Sequence, residues 1–220
     1  MLVMDRKKGC NIIKKNYKMK KILLACEESQ ICTEVFRNNG INAYSCDIQK
    51  CSGNLPQYHI QDDVTKILKY NWDVIIGFPP CTDLSNAQSG KIMNEKIKQG
   101  KPQKALEFIK LLYNSCNFVC IENPVSSYLN NNWIPYSQII EPYYFGHNYR
   151  KKTCLWLKNL PPLISTLYCY PKFKLINYSN KKVSYQSQKN VGLFRDAKNR
   201  SKFHKGVAEA MVKQWHEYLI

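Results

Sequence analysis

The stretch Trp72-Asp73-Val74-Ile75-Ile76-Gly77-Phe78-Pro79-Pro80-Cys81-Thr82 decides the fold. Val74, Ile75 and Ile76 are a short β-branched run with no polar residue between them, the pattern of a strand buried on both faces. Pro79 and Pro80 end it at once, because neither can donate to a sheet ladder. Cys81 therefore falls on a stiff loop just past the carboxyl end of a strand. In open α/β sheets that edge is where ligands bind. A thiol held there has the place of a nucleophile. The plain alternative is a buried structural cysteine, the common fate of an unpaired thiol.

Working outward, strands and helices alternate. Residues 21–26 (KILLAC) read as a first strand. Ser29 is expected to cap a helix with Ile31, Val35 and Phe36 on its apolar face and Gly40 at its end. Residues 42–47, 57–64 and 118–121 read as the second, third and fifth strands around the fourth at 72–78. Residues 101–115 form an amphipathic helix with Ala105, Phe108, Ile109 and Leu112 at helical spacing. A later strand at 154–157 and a closing helix at 206–219 complete the pattern. The expected fold class is α/β: a mainly parallel, Rossmann-like sheet with helices on both faces. Residues 1–18 read as a flexible basic arm and 19–220 as a single domain. Within it, residues 158–205 are a basic segment of irregular or small β structure.

Composition narrows the function. The chain has 220 residues and is 44% hydrophobic, enough for one sizeable core. It has no run of about 18 apolar residues, so no membrane span is expected. The basic N-terminus lacks the apolar core of a secretory signal. Of ten cysteines, Cys26, Cys46, Cys120 and Cys154 lie in apolar, strand-like runs. No Cys-x-x-Cys pair occurs, which argues against structural zinc and for reduced thiols inside a cell. No metal is expected. The net charge is +17, and it is concentrated. Residues 1–21 carry +7 and residues 150–205 carry +13, which leaves the remainder slightly acidic. Such a footprint suits a polyanion, most simply nucleic acid, although charge runs also serve as solvated surface.

Acids mark the same sheet edge as Cys81. Asp47 follows the second strand, Asp63 the third and Glu122 the fifth. An acid after the second strand of such a sheet commonly holds ribose hydroxyls. The first half thus reads as a site for a nucleoside-type cofactor, with Cys81 and Glu122 facing a second substrate.

At this point the chain resembles a known family. Gly77-Phe78-Pro79-Pro80-Cys81 followed by Glu122-Asn123-Pro124-Val125 is similar to the Pro-Cys and Glu-Asn-Val motifs of carbon-5 cytosine DNA methyltransferases. The match is closer to a compact branch from phages, prophages and large DNA viruses. Ala25-Cys26-Glu27-Glu28-Ser29-Gln30, Tyr44-Ser45-Cys46-Asp47, Phe145-Gly146 with Lys151 and Thr153-Cys154-Leu155-Trp156-Leu157-Lys158, and Asn199-Arg200-Ser201 running into Gly206-Val207-Ala208-Glu209-Ala210-Met211 also resemble that branch. The first loop lacks the wider family's glycines, and Lys151 stands where its first Gln-x-Arg-x-Arg arginine would be.

The resemblance implies an S-adenosylmethionine-dependent methyltransferase fold and methyl transfer to carbon-5 of cytosine in DNA. Cys81 would add to carbon-6 as a thiolate. Glu122 would hold the ring nitrogen and amine, and Lys151 would complete the catalytic set. Ser29, Gln30, Asp47, Asp63 and Pro80 would bind the cofactor: Asp47 its ribose, Asp63 its adenine, and Ser29 and Gln30 its methionine end. Lys172, Lys174, Lys181, Lys182 and Arg200 would contact nucleic acid, with Tyr178 and Tyr185 suited to stacking. The target base would be flipped out of its stack. A monomer is expected. Two other readings stay open: a transfer-RNA-type cytosine methyltransferase, and a non-catalytic DNA-binding protein on the same fold.

Overall fold

The computed structural model describes residues 19–85, 90–125, 127–170, 173–177, 183–187 and 202–220, with backbone alone at 173–177 and 183–187. Seven strands form one sheet: β1 (Ile22–Ala25), β2 (Ala43–Asp47), β3 (His59–Gln61), β4 (Val74–Gly77), β5 (Phe118–Pro124), β6 (Gln138–Ile140) and β7 (Thr153–Lys158). Their order is β3-β2-β1-β4-β5-β7-β6. The first five strands pair in parallel, and β7 runs antiparallel between β5 and β6. A separate antiparallel hairpin, β8 (Phe173–Asn177) and β9 (Val183–Ser187), supplies the small β structure expected in the basic segment.

Helices cover both faces because β1 and β4 are apolar at every position and wholly buried. Ile22, Leu24, Val74 and Ile76 point to one face, under α1 (Ile31–Asn38) and α6 (Lys205–Gln214). Leu23, Ile75 and Val119 point to the other, under Leu106, Ile109 and Leu112 of α4 (Lys101–Asn114). Truncating one of these strand residues to alanine costs about 2–5 kcal/mol. The described residues also include the short helices α2 (Val64–Ile67), α3 (Gly90–Lys98), α5 (Leu129–Asn132) and α7 (His216–Leu219). None of the described helices is long and apolar enough to cross a membrane.

Four details differ from the sequence reading. The third strand, read at 57–64, is only His59–Gln61, with a 3-10 turn at Pro56–Tyr58 before it and Val64 already in α2. Ser29 does not cap α1: the capping position belongs to Gln30, and the Glu27 carboxylate takes the helix's first N–H groups instead. Strand β5 does not stop at Ile121 but continues to Pro124, because antiparallel β7 pairs with Glu122, Asn123 and Pro124 beyond the parallel part of the sheet. The closing helix breaks at Trp215, a buried residue whose indole N–H donates to the Pro161 carbonyl at 2.9 Å. Near its start, α6 needs glycine at 206. A Cβ there would lie 1.8 Å from the Phe145 carbonyl oxygen.

The strand order reverses between β1 and β4, and in open sheets of this kind the ligand crevice lies at the carboxyl ends of such a strand pair. Ala25 is level with Cys46 and Gly77, and Gly77 with Ile121. One residue further along each strand come Cys26, Asp47, Phe78 and Glu122.

Candidate active site

The β4 loop is braced from three sides. Phe78 N–H donates to the Ala25 carbonyl at 2.9 Å, extending the ladder by one residue before the two prolines end it. The Pro79 carbonyl accepts from the Asn123 side-chain amide at 3.3 Å. Asn123 is wholly buried, and its own carbonyl accepts from the Ser127 hydroxyl. Beyond Pro80, the Cys81 carbonyl accepts from Leu84 N–H at 3.0 Å and Ser85 N–H at 2.8 Å. Lys96 of α3 then clamps this turn, donating to the Thr82 carbonyl at 2.6 Å and pairing with Asp83 at 3.0 Å. Cys81 is half-buried on that turn, while Pro80 is exposed.

Glu122 faces the same space from within β5. The Thr153 hydroxyl donates to its carboxylate and lies 2.9 Å from the Asn123 carbonyl. Burial pushes the Glu122 carboxyl above its ordinary range, against the opposing pull of the Lys151 ammonium and the Thr153 hydrogen bond. Lys151 is held down by burial and pushed back up by Glu122 and Cys81. Its ammonium is thus near enough to both groups to feel their charge. Its Nζ donates to the Lys202 carbonyl at 3.3 Å, and its backbone N–H to buried Glu141 at 3.1 Å. The structure thus brings Cys81, Glu122 and Lys151 to one place.

The segment before α6 closes this place from behind. Phe203 packs on Phe78, with ring centroids 4.8 Å apart. His204 is buried and hydrogen-bonds the Tyr149 hydroxyl through Nδ1 at 2.8 Å. Burial, with the charges of Lys151 and His147, holds it well below the usual histidine value. His147 Nε2 accepts from Gly206 N–H at 3.0 Å. The sequence reading missed Thr153 as the support of Glu122, and it missed the His147, Tyr149 and His204 group. A usable signal was present, since two of only four histidines flank motifs already singled out.

On the other side of the crevice, the β1–α1 loop solves its geometry without glycine. Cys26 and Gln30 take left-handed backbone angles, φ 60° and 57°, which cost about 1–2 kcal/mol each in a residue with a Cβ. Gln30 holds its turn by donating to Ser45 Oγ at 3.1 Å and the Leu55 carbonyl at 2.8 Å, and by accepting from Leu55 N–H. Its amide is thereby committed inside the protein and does not project into the crevice. Ser29 is partly exposed beside it.

Glu27 fills the α1 N-terminus. Its carboxylate accepts from Cys32 N–H at 2.5 Å, Thr33 N–H at 3.2 Å and the Thr33 hydroxyl at 2.6 Å. This is the position where a dinucleotide's pyrophosphate binds in sheets of this kind. The Glu27 side chain, already bonded to those N–H groups, fills the place a phosphate would take.

Asp47 stands partly exposed at the end of β2, with Oδ1 accepting from Gln49 N–H at 2.9 Å. Ile48 beside it is 72% exposed, an apolar side chain that the sequence reading did not single out. Asp63 caps α2, accepting from Thr65 N–H and hydroxyl, each at 2.8 Å. It is on the expected edge, but one of its oxygens is occupied. Cys26 lies near both acids, which together with burial push its thiol up.

Among the described residues no cluster of His, Cys, Asp or Glu is arranged to hold a metal ion. Lys172, Lys181, Lys182 and Arg200, with Tyr178, lie outside the described residues, as does the arm at 1–18. The backbone of Lys174 pairs with Gln186 across the β8–β9 hairpin. No model of a known protein family matches the chain, and no curated protein matches it significantly.

Proposed function

We propose that the chain transfers a methyl group from S-adenosylmethionine to carbon-5 of cytosine in DNA, through a covalent adduct at Cys81. The observation that carries this reading is the gathering of Cys81, Glu122 and Lys151 on the sheet edge that also presents Asp47, while Glu27 fills the phosphate position at the α1 N-terminus. A nucleoside cofactor without phosphates fits that combination, and a dinucleotide does not.

Cytosine carbon-5 is a poor nucleophile. Cys81 activates it by adding its thiolate to carbon-6, which makes carbon-5 enamine-like. Lys151 is the cation beside that thiolate. Glu122, with its raised carboxyl, can keep a proton to share with the ring nitrogen as negative charge builds there, and can accept from the exocyclic amine. Thr153 fixes the carboxyl group's orientation. Asp47 would hold the ribose of S-adenosylmethionine and Ile48 would pack against its base; the bound cofactor would supply the methyl group as a sulfonium and depart as S-adenosylhomocysteine. Loss of the carbon-5 proton then expels the Cys81 thiolate and restores the ring.

The test is mass spectrometry of nucleosides from DNA and RNA incubated with the protein and methyl-labelled S-adenosylmethionine. Label at cytosine carbon-5 in DNA, absent with Cys81→Ala, is the expected result. Label in RNA alone would keep the mechanism and change the substrate. No label on either polymer would leave a nucleic-acid-binding protein on this fold.

A further inference from the structure

We propose that Tyr143, Tyr144, Tyr168 and Tyr170 form a base-stacking platform for unpaired nucleotides next to the target base. The proposal rests on the nucleic-acid reading above and extends it to a surface outside the Cys81 crevice.

The four rings form one connected group. Tyr143 and Tyr144 meet edge to face with centroids 4.3 Å apart, and their hydroxyls are 3.1 Å apart. Tyr144 contacts Tyr168 at 5.2 Å, and Tyr143 contacts Tyr170 at 6.2 Å. Tyr168 and Tyr170 lie nearly parallel, at 26° and 5.9 Å. Backbone bonds fix the arrangement: Thr166 and Leu167 N–H donate to the Tyr144 carbonyl, and Cys169 N–H to the Tyr143 carbonyl. Yet Tyr168 is 51% exposed and Tyr170 75%, with Leu167 and Ile164 exposed beside them. Aromatic rings held rigidly by the backbone and left open to solvent have no packing role that explains them.

Place and charge identify the occupant. Tyr143 and Tyr144 follow Glu141 and Pro142 just past the carboxyl end of β6, which runs parallel to β4 and β5. They therefore share a sheet edge with Cys81 and Glu122. From β4 to β6 is three inter-strand steps, or roughly 14 Å at the usual strand spacing. That spans about four stacked nucleotides of one strand. The chain from Pro142 to Arg195 contains no Asp or Glu but many Lys and Arg. An open aromatic surface within an acid-free basic stretch matches unpaired nucleic acid, which offers base faces and phosphates together. A protein partner of ordinary charge would not need the basic run.

The test is fluorescence anisotropy with a labelled mixed-sequence single strand of roughly 20 nucleotides, longer than the usual site per fold, and with its duplex, across a salt series. Tyr168→Ala/Tyr170→Ala should bind the single strand at least about tenfold more weakly, since stacking contributes ~1–3 kcal/mol per base. Its log–log salt slope should match wild type, because stacking releases no counterions. Tyr168→Phe/Tyr170→Phe should stay within about twofold of wild type, since phenyl rings still stack. Unchanged affinity in the alanine variant, an equal loss in the phenylalanine variant, or no binding by wild type would each overturn the platform. Unchanged affinity with an altered particle mass in light scattering would assign the rings to a second copy of the chain instead. Affinity is read without turnover, so binding that depends on the tyrosines in a protein that never methylates would keep the platform and remove only the proposed reaction.

Discussion

The side-chain amide of Asn123 donates to the carbonyl of Pro79 across 3.3 Å, so the loop that carries Cys81 is tied to the strand that carries Glu122. Each group is also anchored on its far side, Cys81 through the Lys96 clamp and Glu122 through Thr153. The buried Asn123 amide thus links the two anchored groups, Cys81 and Glu122, to each other.

Asn123→Ala should therefore damage the reaction more than the cofactor site. Losing a buried hydrogen bond costs about 1–3 kcal/mol of stability, visible as a lower denaturation midpoint. Misplacing one loop against the other should lower kcat by ~10- to 100-fold. Affinity for S-adenosylmethionine, measured by calorimetry, should change by less than about twofold, because Asp47 and the β1–α1 loop are untouched.

Glu27 makes stability depend on pH. Burial pushes its carboxyl from 4.5 up to about 7, against the hydrogen bonds from Cys32 and Thr33. The folded state then binds more protons than the unfolded state between those values, so this contribution is complete below pH 4.5 and is lost as pH rises through 7. The difference is on the order of 3 kcal/mol. Glu27→Gln mimics the neutral form at every pH. Wild type should thus lose stability relative to Glu27→Gln as pH rises, in urea titrations at matched pH. Parallel stability curves for the two proteins would remove this assignment.

Asp47 tests the cofactor reading. Asp47→Ala should bind S-adenosylmethionine about 10- to 100-fold more weakly, the effect of losing charged hydrogen bonds to a ribose. A dinucleotide such as NAD should not compete in wild type, because the Glu27 carboxylate occupies the phosphate position at α1. Equal binding by Asp47→Ala, or strong competition by the dinucleotide, would send the search for the cofactor elsewhere.

Much of this was legible from local sequence. Val74, Ile75 and Ile76 had to be buried on both faces, and two prolines had to end their strand, so Cys81 could be placed on the sheet edge without a structure. Asp47 and Glu122 followed from the same rule. Long-range pairing was not legible. Nothing near Glu122 signals that β7 returns antiparallel and lengthens β5 to Pro124. Helix α3 escaped notice because it is rich in lysine and buries only Met93, yet its Lys96 holds the Cys81 turn. The family resemblance implies ligand contacts at Gln30 and Asp63. The structure gives Gln30 to the loop and one Asp63 oxygen to a helix cap. Polar residues near a site serve the backbone as often as the ligand, and only the geometry separates the two uses.

The central claim is that Cys81 attacks cytosine, and 5-fluorocytosine tests it most directly. Fluorine at carbon-5 cannot leave as a proton does, so the adduct is trapped after methyl transfer. Wild type with S-adenosylmethionine and 5-fluorocytosine DNA should give a protein–DNA band that survives denaturation. Cys81→Ser should give none, because a hydroxyl is a far weaker nucleophile than a thiolate at neutral pH. It should still bind DNA. Glu122→Gln should trap much more slowly while binding the cofactor normally. A wild-type protein that binds S-adenosylmethionine yet forms no adduct with 5-fluorocytosine in DNA or RNA of mixed sequence would contradict the account.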